Sequence, residues 1–207
     1  MIYSSDFVWL HFPKCAGAKI EYLFKKYYSN DRKITQDLVD PKKGLTPWHD
    51  SIIDRESRDP KFSLGTRTII CSFRKLSSWL ESRYNFEYRR SPTLDHRPER
   101  LLEGKFLERD GFENHADYYA KKYLSQFILE SNTVRFIRTE YFESDFKLIF
   151  GEYLDISIIP DREFNGKVNA SKSYLPLDIR KRLYQDRQVL YEKCPYWKMV
   201  EKIAYDD

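Results

Sequence analysis

The chain has 207 residues, 41% hydrophobic and 16% aromatic, with 36 basic against 32 acidic side chains and a net charge of +4. This length suits one domain that buries roughly 70% of its unfolded surface, and the apolar content excludes a disordered chain. So small a basic excess argues against duplex nucleic acid as the main partner and suits one anion-binding cleft on a mixed surface.

Phe7 to Phe12 (FVWLHF) is a short aromatic-rich apolar run, which predicts a buried strand. It meets Pro13-Lys14-Cys15-Ala16-Gly17, a turn that cannot continue the strand, and Ile20, Leu23, Phe24, Tyr27 and Tyr28 then follow the spacing of an amphipathic helix. Asn30 to Asp59 is polar and turn-rich. A second strand is expected over Thr66 to Phe73, followed by a helix with Leu76, Trp79, Leu80 and Tyr84 on one face. Residues 91–110 are charged and hold Pro92 and Pro98, which suggests an excursion or lid. Ala116, Tyr119, Ala120, Tyr123, Leu124, Phe127 and Ile128 form the clearest helical stripe. Further on come a strand at Val134 to Ile137, a short helix near Phe146 to Phe150 and a strand at Ile156 to Ile159 closed by Pro160. A polar loop over Asn165 to Tyr174 precedes a mostly helical ending, with Ile179, Leu183, Asp186 and Leu190 near one face. Strands alternating with helices predict an α/β fold: a single domain, 1–207, built on a central parallel sheet flanked by helices.

Cys15, Cys71 and Cys194 are scattered and form no CxxC pair, which speaks against a disulfide scaffold or a structural zinc site and for a reducing compartment. No window approaches the roughly 18 apolar residues of a membrane span. No basic stretch precedes an apolar one at Met1 to Leu10, so a chain starting natively at Met1 is expected to be cytoplasmic.

The sharpest local pattern is the first strand–loop–helix. A strand that ends in Pro-Lys-x-x-Gly and turns directly into a helix presents backbone N–H groups and a helix N-terminus to an anion, with Lys14 in reach of a phosphate. The sequence is not a GxxxxGK[ST] loop. The second strand runs into Arg74, and Ser82 follows eight residues on, about two helical turns, where the two would clamp a phosphate. Two anion-binding devices at the carboxyl ends of parallel strands are the arrangement of a nucleotide cleft.

These segments resemble the PAPS-dependent sulfotransferases, which use 3′-phosphoadenosine-5′-phosphosulfate (PAPS) as donor and release PAP. HFPKCAGAKIEYLF is similar to their 5′-phosphosulfate loop and CSFRKLSSWLESRY to their 3′-phosphate motif, with Arg74, Leu80, Ser82 and Tyr84 in register. FIRTEYFESDF resembles a later strand motif through Arg138, Glu140 and Phe142. NASKSYLP with the following YQDRQVLYEKCPYW helix is similar to the ending of the carbohydrate branch, which includes heparan-type O-sulfotransferases. The resemblance implies a P-loop-NTPase-like sulfotransferase fold. It implies a donor site of Pro13, Lys14, Cys15, Ala16, Gly17, Ala18, Lys19, Arg74, Ser82 and Lys172, the last on a loop closing over the donor. The acceptor it implies is a hydroxyl, of a carbohydrate in that branch, and it requires no metal. Ala18 and Cys15 stand where the family carries hydroxyls, and Lys75-Leu76 replaces the usual Asn-Pro, so donor binding rests more on backbone amides, Lys14 and Lys19.

Attack on sulfur needs a base for the hydroxyl proton. Of four histidines, His11 lies inside the first strand and is read as packing, His96 as solvated, and His115 as a helix-cap residue. His49, in Thr46-Pro47-Trp48-His49-Asp50, lies between the two phosphate motifs, where the family often keeps its base. Trp48 is read as a hydrophobic wall and Asp50 as orienting the ring. The resemblance then implies in-line displacement, with His49 as base and Lys14 stabilising the leaving phosphate. Two alternatives stand beside it: a P-loop-like kinase, and a nucleotide- or glycan-binding module without turnover.

Overall fold

The computed structural model describes residues 1–37, 49–127, 134–165 and 172–206. The chain divides into two compact units, Met1–Phe73 with Gln126–Val168, and Arg74–Ser125 with Asn169–Asp207.

The first unit holds a five-stranded sheet. Its strands are β1 (Ile2–Tyr3), β2 (Phe7–Leu10), β3 (Thr35–Gln36) and β4 (Thr68–Phe73), and a later strand at Val134–Arg138 completes it. The helices of this unit are α1 (Gly17–Tyr27), α2 (Ile52–Arg58), α5 (Phe142–Phe150) and α6 (Arg162–Asn165). In the second unit lie α3 (Leu76–Arg90), a hairpin of β5 (Lys105–Leu107) and β6 (Glu113–His115), and α4 (Ala116–Leu124), followed by α7 (Leu177–Gln185), α8 (Arg187–Lys193) and α9 (Pro195–Tyr205). The Val134–Arg138 strand is β7, and the sheet order is β3-β1-β2-β4-β7.

The α/β expectation holds, with a correction to the sheet. Only β2, β4 and β7 run parallel, in the register Trp9↔Ile70 and Ile70↔Arg135, while β1 pairs antiparallel with both β2 and β3. The sheet is therefore mixed. A tight turn at Ser4 to Asp6, where Ser4 Oγ accepts the N–H groups of Asp6 and Phe7, folds β1 back along β2. The strand expected at Ile156–Ile159 is instead a 3₁₀ turn at Ile156–Ile158, because the Asp155 carboxylate accepts the Ser157 N–H and closes a turn before an extended run can form.

One face of the sheet carries Phe7, Trp9, Ile70 and Ile137 against Ile20, Leu23 and Phe24 of α1 and Phe146, Ile149 and Phe150 of α5. Phe24–Phe150 and Phe146–Phe150 centroids lie 5.0 and 4.7 Å apart, and such pairs contribute about 0.5–1.5 kcal/mol beyond area burial. Trp9 is fully buried, and its indole N–H is satisfied by Ser72 Oγ at 3.0 Å. The predicted apolar stripe of α1 is the face that seats this helix over the sheet and fixes where the Pro13–Gly17 loop emerges.

In the second unit Trp79 of α3 packs on Trp197 of α9, with centroids 4.7 Å apart, and on Phe106 of β5 at 5.5 Å. Residues 91–110 contribute a 3₁₀ helix at Pro98–Glu103 and β5, and Leu101 and Phe106 are 1% exposed. His96, expected to be solvated, is 5% exposed: its Nε2 lies 2.7 Å from the Ser91 carbonyl and its ring sits against Tyr84 and Tyr88. His115 does cap α4, its Nδ1 accepting the Asp117 N–H at 3.1 Å.

Candidate functional site

The loop between β2 and α1 is built from unusual backbone. Two of the three non-glycine residues with left-handed φ among the described residues are Lys14 (66°) and Ala16 (60°). Each such residue costs of order 1 kcal/mol, and alternating hands of backbone turn successive N–H groups into one concavity. Ala16 is the N-cap of α1 and offers no side-chain acceptor, so no side chain caps the first turn, to which the Gly17 and Ala18 N–H groups belong. The Cys15 N–H instead turns back onto the Phe12 carbonyl at 3.3 Å, and the Cys15 side chain is fully buried. Pro13 has no N–H. Lys19 is buried along α1, its ammonium 5.6 Å from the Tyr22 ring centroid. Of the predicted loop residues, Lys14 and Ala16 carry the left-handed backbone, and Gly17 and Ala18 open α1.

Gly17 is required by a close approach. A Cβ there would stand 1.8 Å from His11 Nε2. His11 is 8% exposed, stacked on Trp9 at 5.1 Å, with Nδ1 2.8 Å from Glu21 Oε1 of α1. It packs, as expected, and it also joins the loop to His49, whose ring centroid lies 4.4 Å from its own. Gly17→Ala should therefore lower stability by about 1–3 kcal/mol, the usual effect of overpacking, as read from urea unfolding. An unchanged midpoint would show that the ring moves aside freely.

His49 is oriented by backbone. Its Nδ1 lies 3.3 Å from the His11 carbonyl, which only accepts, so Nδ1 carries the proton and Nε2 carries the lone pair. Burial first, and then the neighbouring His11, pushes the ring down from 6.5 to about 4. The imidazole is consequently neutral at physiological pH, in the tautomer that a base requires. Asp50 does not orient it: its carboxylate pairs with Arg58. Thr46, Pro47 and Trp48 lie outside the described residues.

The second unit holds the other predicted phosphate residues. Arg74, Ser78 and Ser82 follow four-residue steps and so lie along one face of α3 and the residues leading into it. Arg74 Nε donates to Ser78 Oγ at 3.1 Å, and that hydroxyl donates to the Lys75 carbonyl. Ser78 was not singled out from the sequence, although its spacing one turn before Ser82 was a usable signal. Next to Ser82, the buried Glu81 carboxylate accepts from Ser173 Oγ at 2.7 Å and Tyr184 Oη at 2.6 Å, and it forms an ion pair with Arg180, whose Nε lies 2.9 Å from Oε1. The Tyr174 N–H donates to Asn85 Oδ1 at 2.8 Å and its ring stacks on Tyr88. Lys172 is exposed and immediately precedes this pinned stretch. Residues 173–174, read from the sequence as part of a closing loop, are thus fastened to α3, while 166–171 lie outside the described residues.

His115, Asp117 and Cys194 bring ligand-type atoms within 4.8 Å of one another. Their hydrogen bonds argue against a metal. Both Asp117 oxygens accept N–H groups of Tyr196 and Trp197 at the start of α9, at 3.0 and 2.7 Å. His115 Nδ1 accepts the Asp117 N–H, so its proton sits on Nε2, facing Cys194 Sγ at 4.0 Å. Burial pushes that thiol up to about 12. The three residues form a capping knot that ties α4 to α9.

The chain is an α/β protein with a mixed five-stranded sheet flanked by helices. No family model, no curated protein and no solved structure matches it. No helix among the described residues is long and apolar enough to cross a membrane.

Proposed function

We propose that this chain is a PAPS-dependent O-sulfotransferase with a P-loop-NTPase-like sulfotransferase fold. The observation that carries the reading is the continuous run from the uncapped start of α1, through Gly17 against His11, to the neutral His49 ring. It sets a helix N-terminus suited to a phosphosulfate beside an imidazole suited to take a proton. In this reaction the acceptor oxygen attacks sulfur while His49 Nε2 takes its proton. The bond from sulfur to the bridging oxygen of the 5′-phosphate breaks, and PAP leaves with that electron pair. Lys14 and the Gly17 and Ala18 amides balance the charge on the departing phosphate. Arg74 and Ser82 take the 3′-phosphate.

A kinase would need a magnesium-holding hydroxyl at the loop's end, where Ala18 stands. The likeness of residues 169–176 and 184–197 to the carbohydrate branch supports a sugar hydroxyl as acceptor. Cys15, Cys71 and Cys194 are buried and form no disulfide, which supports a reducing, cytoplasmic setting. Titration with PAP in competition with magnesium–ATP tests the reading.

A further inference from the structure

The turn of the β5–β6 hairpin is built to hold an exposed aromatic. Gly111 adopts a φ of 81° and its N–H donates to the Glu108 carbonyl at 2.8 Å, while the Asp110 carboxylate accepts the Phe112 N–H at 3.1 Å. The turn thereby fixes Phe112, which is 65% exposed. In the first turn of α4, Tyr118 is 55% exposed, and its neighbour Tyr119 is anchored to the hairpin by donating to Glu108 at 2.6 Å. Single exposed aromatics are ordinary on a surface. These two, however, line one pocket of about 350 Å³ together with Lys105, Glu113, Asn114 and His115. The cross-strand register, Lys105 opposite His115 and Leu107 opposite Glu113, puts Lys105 and Glu113 on the same face of the hairpin. Charge there is balanced, because Arg100 and Lys105 pair with Glu103 and Glu113 at 3.3–3.7 Å. His115 Nδ1 already accepts the Asp117 N–H, and the Asn114 amide is engaged by Glu108 and the His115 N–H. Lys105 and Glu113 are therefore the polar groups a ligand would meet.

We propose that this hairpin pocket binds a neutral sugar ring of a glycan. The apolar C–H face of a pyranose lies against the rings of Phe112 and Tyr118, and its vicinal hydroxyls, which both donate and accept, meet the Glu113 carboxylate and the Lys105 ammonium. A balanced set of two cations and two carboxylates gives no advantage to a sulfated or carboxylated sugar, and a cationic ligand would face Arg100 and Lys105. The assignment goes beyond the sulfuryl-transfer reading, because sugar binding here requires neither PAPS nor His49. It also favours a neutral glycan over an acidic one of the heparan type.

The test is saturation-transfer NMR with calorimetry, in the absence of nucleotide. Cellotriose, maltotriose and chitotriose serve as neutral probes, a heparin-derived tetrasaccharide as the acidic one, and adenosine as a stacking competitor. At least one neutral trisaccharide should bind with a Kd of about 1 mM or below, and the heparin fragment no more tightly. Phe112→Ala and Tyr118→Ala replace exposed side chains, so both variants should fold, and their thermal midpoints check this. Each should weaken the neutral sugar by roughly three- to tenfold, the loss of one ring contact, while Tyr118→Phe retains it. No neutral sugar bound, undiminished binding in either alanine variant, or a preference for the heparin fragment overturns the assignment. Adenosine bound more tightly than every sugar overturns it too, by marking a nucleobase site. A separate PAP titration keeps the two readings apart. Neutral sugar bound without PAP removes only the donor reading, and PAP bound without neutral sugar removes only this pocket.

Discussion

His49→Ala should reduce turnover by roughly 10²–10⁴-fold while leaving PAP affinity unchanged, since removing a positioned base slows proton transfer and no donor contact is assigned to this ring. The pH dependence distinguishes His49 from any other base. A base works only when neutral, and burial together with His11 holds this ring at about 4, well below the ordinary 6.5. On the acidic side, activity should stay level through the range where a solvated histidine would already be protonated, and fall only as pH drops through about 4. Measured kcat profiles check this directly. An acidic limb centred near 6.5 would assign the proton transfer to a different group, and near-normal turnover in the alanine variant would remove His49 from the mechanism. Loss of turnover together with PAP affinity would indicate collapse of the segment around Asp50 and Arg58.

Arg74→Ala should cost about 2 kcal/mol or more of PAP binding, a drop of roughly thirtyfold in affinity. The magnitude follows from the way Arg74 is held. Ser78 fixes Nε from one helical turn away, so little side-chain entropy remains to be lost when the fork closes on a phosphate. Arg74→Lys should recover only part of the loss, because an ammonium keeps the charge but has neither the fork nor an Nε for Ser78. Unchanged PAP affinity in Arg74→Ala would sink the 3′-phosphate assignment.

The parallel heart of the sheet was legible because strands that pair on both sides read as near-continuous apolar runs, as in FVWL and TIICSF. β1 and β3 were not, since two residues each are too few to show a period. Ile156–Ile158 has strand composition, but the Asp155 side chain decides its backbone, and a purely apolar reading does not see that bond. His96 was misread for a related reason. Charged Asp95 and Arg97 flank it, and its burial comes from Tyr84 and Tyr88 on a distant turn of α3.

At the candidate site, residues linked by short spacings were readable and residues linked by folding were not. Lys14, Gly17, Arg74 and Ser82 came from local pattern, and His49 from its place between the motifs. Glu81 is invisible in the sequence because its partners Ser173 and Tyr184 lie 92 and 103 positions away. The His11 bridge is likewise tertiary, joining Gly17 and Glu21 of one element to His49, 38 residues beyond it.

A sulfuryl-transfer function is tested most directly by which nucleotide the chain binds. Calorimetric titration of the wild type with PAP in metal-free buffer, and separately with ATP in excess magnesium, measures that choice without needing the acceptor. The loop amides, Lys14 and the Arg74 face call for saturable PAP binding that does not depend on magnesium and is at least tenfold tighter than that of magnesium–ATP. No heat with PAP, or tighter magnesium-dependent binding of ATP, would contradict a sulfuryl-transfer function for this chain.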